Sequence, residues 1–186
     1  MILVNRLTNL ATSHSLGNAR KAAEEGELKL AQITKAHHTG ISVKSLREST
    51  KFYKELLGFE EVFSWNPQAE YIGVLTGYPD VDLNATILKM PGVDVFLELL
   101  EYGNVDLKDI DHGNANPGIA HIAFFVDDVD EWFKELTKKG VKSVSTPVTP
   151  TIGPNKGGRA IYMIDPDGVR VELIQSSTSF GEYKGE

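Results

Sequence analysis

The chain contains no cysteine, which excludes disulfides, thiolate metal sites and a cysteine nucleophile together. It also lacks any apolar run approaching the length that spans a bilayer, so no membrane segment is expected. Positive charge is scarce: 19 Lys and Arg against 26 Asp and Glu give a formal net charge of -7 and a pI near 5.3. With no basic stripe to offset phosphate repulsion, a nucleic-acid partner is not expected. What remains, 41% hydrophobic and 24% charged residues over 186 positions, suits one duplicated domain or two small modules sharing a core.

What the chain does have is a repeat, and a repeat must be found before a fold is assigned. In the first half His38-Thr39-Gly40-Ile41-Ser42-Val43 leads into Ser45-Leu46-Arg47-Glu48, then an amphipathic stretch ending Leu56-Leu57-Gly58-Phe59. In the second, His121-Ile122-Ala123-Phe124-Phe125-Val126 leads into Asp128-Val129-Asp130-Glu131, then Trp132 to Lys139 and Gly140-Val141. Both read as a strand followed by a helix. Ser45 with Glu48, and Asp128 with Glu131, have the spacing of a capping box, in which side chains satisfy amide donors that the first helical turn leaves unpaired. Gly58 and Gly140 stand where a left-handed terminal residue costs least. Val129, Trp132, Phe133 and Leu136 follow the i, i+3, i+4, i+7 rule, while Leu46, Phe52, Tyr53, Leu56 and Leu57 approximate one apolar face.

Each half closes with a hairpin. Ala85 to Met90 and Asp94 to Tyr102 flank Pro91-Gly92; Arg159 to Ile164 and Val169 to Gln175 flank Asp165-Pro166-Asp167-Gly168. Each module therefore reads β-α-β-β-β. The last strands carry acids, Glu98 within Val95 to Leu100 and Glu172 within Val169 to Ile174. By the period of two, Phe96, Glu98 and Leu100 share one face and Val95, Leu97 and Leu99 the other. One face is expected under the helix and the other along a concavity, with Glu98 and Glu172 pointing into it beside His38 and His121.

A carboxylate inside such a strand needs an explanation, because an unpaired buried charge costs several kcal/mol, on the order of a whole protein's margin, or shifts its pKa until it is neutral. Two such acids with two histidines on companion strands cancel that penalty by sharing a divalent cation. Two imidazoles and two carboxylates suit zinc, nickel, cobalt, manganese or ferrous iron, with positions left open for water or substrate. Any one of the four taken singly reads best as an ordinary polar group at a rim; it is their matched repetition that points to a site.

These motifs resemble the vicinal oxygen chelate superfamily, which includes glyoxalase I, methylmalonyl-CoA epimerase, extradiol ring-cleaving dioxygenases and the bleomycin and fosfomycin resistance proteins. The resemblance rests on His38 to Val43, Phe52 to Phe59, Leu97-Glu98-Leu99, His121 to Val126 and Tyr162 to Ile174, and spans about residues 36 to 176. It implies an α+β fold of two tandem βαβββ modules forming a U-shaped, partly open barrel, with a metal held by His38 and Glu98 from one module and His121 and Glu172 from the other. His37 is expected to face away from that site, since neighbouring strand residues alternate. A quartet that includes Glu98 resembles the lyase and epimerase branch, whereas the dioxygenases use two histidines and one glutamate. The implied activity is that of a metal-dependent lyase or isomerase: a substrate with two neighbouring oxygens chelates the metal, which stabilises the enolate left when the adjacent C–H loses its proton to Glu172 or Glu98. Two alternatives stand beside it: an iron-dependent extradiol dioxygenase using His38, His121 and Glu172, and a protein that sequesters a small molecule.

Other residues enter as substrate contacts. Lys156 and Arg159 lie in a flexible cationic loop beginning at Gly153, suited to clamping an anionic or thioester group, although a solvated loop explains it equally well. Trp65, Tyr71, Phe125 and Tyr162 are candidates for an apolar wall, against the common role of strand aromatics as core. The expected layout is an N-terminal extension over 1–35, modules over 36–103 and 118–176 joined by a linker over 104–117, and a tail over 177–186. Asp106, Asp109, Asp111 and His112 belong to the linker by its Asn, Gly and Pro content rather than to a second metal site. Met1 to Ala23 carries Arg6, Arg20 and Lys21 with no acid, a faint transit-peptide pattern, but the preferred reading is a helical extension packing on the barrel or on a partner subunit. A cytoplasmic homodimer acting on a small molecule is the expectation, with an organellar matrix as the alternative if the extension is a transit peptide.

Overall fold

Ser45 and Asp128 open helices, as their spacing predicts, in the computed structural model, which describes residues 32–176, 178–179 and 181–184. Both readings of Met1 to Ala23, and most of the expected extension, lie outside the described residues. The chain runs β1 (His38–Ser42), α1 (Leu46–Lys51, continuing through a π-helical turn, Phe52–Leu56), β2 (Glu60–Trp65), α2 (Glu70–Thr76), β3 (Asp82–Lys89) and β4 (Phe96–Gly103). It then repeats with β5 (His121–Phe125), α3 (Val129–Lys138), β6 (Lys142–Ser143), β7 (Arg159–Ile164) and β8 (Arg170–Gln175). The strands form two four-stranded sheets ordered β1-β4-β3-β2 and β5-β8-β7-β6. β1 runs parallel to β4 and β5 to β8, and the other pairs are antiparallel. Neither sheet closes on itself, and the fold is the α+β, partly open barrel of tandem modules. No helix among the described residues is long and apolar enough to cross a membrane.

The duplication extends to the hydrogen bonds that start the helices. Ser45 Oγ accepts from Glu48 N at 3.4 Å and Asp128 Oδ1 from Glu131 N at 3.0 Å, as N-caps do. A second matched device has no local sequence signal: Leu46 N donates to Glu101 Oε2 at 2.6 Å and Val129 N to Gln175 Oε1 at 3.2 Å. Each helix is thus tied to the strand that bears its own module's glutamate, three residues beyond it. Gly58 and Gly140 end the helices with φ of 75° and 85°, the left-handed region that glycine enters without a Cβ penalty.

Two features depart from the sequence reading. The irregular apolar spacing of α1 is taken up by its π turn, which brings Phe52 and Tyr53 into the core. The helix α2 is unanticipated, because its Tyr71, Val74 and Leu75 are exposed and only Ile72 and Gly73 are buried. Gly73 is needed there: a Cβ would stand 2.7 Å from the Pro79 carbonyl oxygen.

The core lies on the helix side of both sheets. Leu97, Leu99, Val171 and Leu173 point into it from β4 and β8, against Tyr53, Val129 and Leu136. Each such side chain contributes roughly 1.5–3 kcal/mol by leaving water. The modules are also joined by polar contacts at the Asp165–Gly168 turn. Tyr53 Oη donates to Asp165 Oδ2 at 2.9 Å, while Asp165 Oδ1 accepts from the amides of Asp167 and Val169 at 2.9 and 2.8 Å. Asp167 in turn accepts from Ser49 Oγ and from the Lys44 amide, both at 3.1 Å. Burial pushes both the Tyr53 hydroxyl and the Asp165 carboxyl above their usual ranges.

Candidate functional site

The parallel pairing of the first and last strands of each module builds the same geometry twice. His38 lies beside Phe96 and Gly40 beside Glu98; in the second module His121 lies beside Arg170 and Ala123 beside Glu172. Each histidine therefore meets the glutamate two residues further along the neighbouring strand. His38 Nε2 is 3.0 Å from Glu98 Oε2, and His121 Nε2 is 3.2 Å from Glu172 Oε2. Exposure matches as well: the histidine side chains are 37% and 42% exposed and the glutamates 17% and 19%. Both glutamates sit on the face opposite the core, as the alternation predicts.

The spacing fits a divalent cation. Two ligand atoms about 2.1 Å from one ion and at about a right angle to each other stand about 3 Å apart, which is the separation seen in both pairs. The structure brings the four residues together two by two and no further. Among the described residues, no group of three or more His, Asp and Glu side chains is assembled. Each module holds one histidine–glutamate pair, open to solvent. A cleft of about 850 Å³ lies between α1 and the Asp165–Gly168 turn and is lined by none of the four.

His37 corrects one expectation. Its Nδ1 lies 2.6 Å from His38 Nδ1, with the rings edge to face. β1 begins only at His38, so the alternation that was expected to turn His37 away does not govern it.

Cross-strand register locates the other candidates. On the first sheet Phe63, Ile87, Glu98 and Gly40 form one row, and Trp65, Ala85, Leu100 and Ser42 the next. On the second, Tyr162, Glu172 and Ala123 form one row, and Ala160, Ile174 and Phe125 the next. Trp65 and Phe125 thus occupy matching rows beside the two glutamates, and both are exposed. Tyr71 is exposed on α2, and Lys156 belongs to the loop before β7. Arg159 lies on the other face of β7, in phase with the buried Ile161 and Met163. Its guanidinium makes a bidentate pair with Asp130 at 2.8 and 2.6 Å and donates to Thr149, and that hydrogen bonding holds the Asp130 carboxyl below its usual range.

Two residues escaped the sequence reading. Phe63 shares the row of Glu98, a placement signalled by its alternation with Trp65. Arg170 shares the row of His121, two residues before Glu172, and donates to the Gly168 carbonyl at 3.3 Å. Tyr162 lies beside the second pair. Its ring meets His121 edge to face at 5.4 Å, and burial and then the Glu172 carboxylate raise the pKa of its hydroxyl.

Comparison with known proteins follows the same lines. The chain is 33% identical over 143 residues to a 2-epi-5-epi-valiolone epimerase from an Actinomyces species, covering 74% of this chain and 77% of that one. It is 32% identical over 145 residues to a lactoylglutathione lyase from Haemophilus influenzae, covering 76% and 93%. A glyoxalase family protein from Bacillus cereus superposes with a TM-score of 0.66 at 22% identity, over 80% of this chain and 98% of that one, which is a likeness of fold. The pattern of the glyoxalase/bleomycin resistance protein/dioxygenase superfamily matches residues 35–173, and the chain belongs to that superfamily.

Proposed function

We propose that the protein is a metal-dependent lyase or isomerase that moves a proton at a carbon next to a carbonyl. In this reading it works as a homodimer in which His38 and Glu98 of one copy meet His121 and Glu172 of another. The observation that carries the proposal is the pair of matched half-sites, His38 with Glu98 at 3.0 Å and His121 with Glu172 at 3.2 Å, each too small to hold an ion alone. Further support comes from exposed apolar side chains of the first module: Val62, Phe63, Trp65, Tyr71, Val74 and Leu75 are 42% to 80% exposed, and apolar surface left open is what a partner copy covers.

His38, Glu98, His121 and Glu172 would hold a divalent ion, zinc, nickel, cobalt, manganese or ferrous iron by the chemistry of the donors, and it would supply positive charge beside the substrate's oxygens. The chain's own side chains do the rest. Glu98 or Glu172 takes the proton from carbon; the same carboxyl returns it to the neighbouring carbon for an isomerisation, while for an epimerisation the other glutamate, carrying a proton beforehand, delivers it to the opposite face. Phe63, Trp65, Phe125 and Tyr162 grip the apolar part of the substrate and exclude water.

The relatives are named for lactoylglutathione and for 2-epi-5-epi-valiolone, so the substrate classes to try are hemithioacetals of 2-oxoaldehydes and polyhydroxy ketones. The test is metal titration followed by incubation of each class in deuterated water, with loss of the C–H signal read by proton NMR. Stoichiometric metal with exchange is expected, and Glu98→Gln lowers both. A protein that takes up no metal and exchanges no proton with either class overturns the proposal.

A further inference from the structure

The two histidine–glutamate pairs match in their ligands and differ in the residue two places before each glutamate, which is Phe96 on β4 and Arg170 on β8. Side chains two apart on a strand share a side, and the intervening Leu97 and Val171 are buried in the core, so Phe96 and Arg170 lie on the face of the ligands. Each also stands directly across from its module's histidine, Phe96 from His38 and Arg170 from His121. The first pair is thus flanked by a ring and the second by a guanidinium. The fold leaves that guanidinium largely unengaged: among the described residues it makes one hydrogen bond, from Nη1 to the Gly168 carbonyl at 3.3 Å, and no ion pair. Most of its N–H donors stay open. Glu172, on the same face, turns to His121 instead, and Asp111 from the segment joining the modules feels the charge of Arg170 without bonding to it.

We infer that Arg170 is a specificity-determining residue that binds a carboxylate carried by the substrate beside its chelating oxygens. This rests on the metal reading above and narrows its substrates to anionic ones. The planar fork of a guanidinium matches a carboxylate, and one cation balances the single charge of that group. Other cations are placed elsewhere. Arg159 is held by Asp130 on the opposite face, Lys142 lines the cleft beside α1, and Lys156 lies by Gln175 and Ser176 at the far end of β8. Lys89 shares the row of His38 but stands one strand beyond Phe96 and pairs with Asp94 at 3.7 Å. In the completed quartet the substrate then has one orientation, its carboxylate toward the module that supplies Arg170 and its apolar end toward Phe63, Trp65 and Phe96.

Two probes isolate the carboxylate. Acetohydroxamate and succinate monohydroxamate share a chelating head with two oxygens, and only the second carries a carboxylate tail. Both are titrated against the Co²⁺-loaded protein and followed by the visible cobalt spectrum. The protein is expected to bind the succinyl probe about tenfold more tightly, the size of one hydrogen-bonded contact between charged groups at a half-exposed site. Arg170→Met abolishes that preference by weakening the succinyl probe alone. Arg170→Lys, which keeps the charge without the fork, retains part of it, and Lys89→Met retains all of it. The inference is overturned by the absence of a preference in the unsubstituted protein, by a preference that survives Arg170→Met, or by an equal loss for both probes, the result a purely structural arginine gives. A protein that binds neither probe strikes the metal reading instead, and the metal-free chain then decides the role of Arg170. Its Nε–H signal in ¹⁵N NMR moves on addition of succinate and not of the neutral succinamide if the inference holds, and stays in place with both if it fails.

Discussion

If each metal quartet is shared between two copies, chains broken in different modules must repair one another, and the degree of repair can be worked out beforehand. The perturbations are His38→Ala and His121→Ala. Both side chains are over a third exposed, so their removal opens no core cavity and a loss of metal reports on the site and not on folding. Alone, either variant is dead at every site, since each shared quartet contains one copy of each histidine. Co-expressed in equal amounts and associating at random, about half of the dimers are mixed. A mixed dimer has one quartet with both histidines and one with neither, so about one quarter of the sites of the unsubstituted protein return. The assay is bound metal per chain, with turnover alongside, on the unfractionated mixture, and then on mixed dimers isolated through two different tags, where about half of the sites return. His38→Ala mixed with Glu98→Gln is the control, and it recovers nothing because both lesions fall in the same half-site. Recovery near zero in the first mixture, with mixed dimers present on the gel, would falsify the shared quartet and place all four ligands within one chain.

Four further outcomes follow from the contacts. Tyr53→Phe strips a donor from the buried Asp165 carboxyl and is expected to cost about 1.5–3 kcal/mol, read as a lower urea midpoint; an unchanged midpoint refutes the role of that bond. Because burial raises the Tyr53 hydroxyl, the folded chain keeps its proton while the unfolded chain releases it near pH 10. Stability is therefore full below about pH 10 and falls as pH rises beyond it, and Tyr53→Phe shows a shallower alkaline decline in urea titrations at stepped pH. Gly73→Ala forces a Cβ to within 2.7 Å of the Pro79 carbonyl oxygen and lowers stability by about 1–3 kcal/mol, measured by thermal melting. Arg159→Ala breaks an exposed pair with Asp130 on the face away from the glutamates, so turnover by the metal-loaded protein stays within about twofold, as expected of surface ion pairs; a collapse of turnover would mean that Arg159 turns to the substrate.

Much of the fold was legible because it is written in short-range chemistry. Ser45 and Asp128 announce helix starts through residues three positions on, and Gly58 and Gly140 announce the ends. The alternation Leu97, Glu98, Leu99 assigns faces within one strand, and the structure places those faces as that period requires. The helix α2 was not legible, since its packing rests on two residues, Ile72 and Gly73, and its other apolar side chains look outward. His37 was misjudged because strand alternation was extended one residue beyond the strand. Arg159 belonged by sequence to a cationic loop, but its phase with Ile161 and Met163 carries it to the helix side, where Asp130 holds it.

By itself the sequence determined that there are two copies of one module, that each carries one histidine and one glutamate at matching places, and that the glutamates share a face away from the core. All of this depends on order along the chain. Which side chains meet depends instead on register between strands far apart in sequence, and that only the tertiary structure decided. It set His38 against Glu98 and His121 against Glu172 as separate pairs, locked Tyr53 to Asp165 across the modules, and put Tyr162 beside one glutamate and Ile87 beside the other. The physical reason is that tertiary packing brings together residues 65 positions apart, as Lys44 and Asp109, or 112 apart, as Tyr53 and Asp165, separations over which no local periodicity carries information.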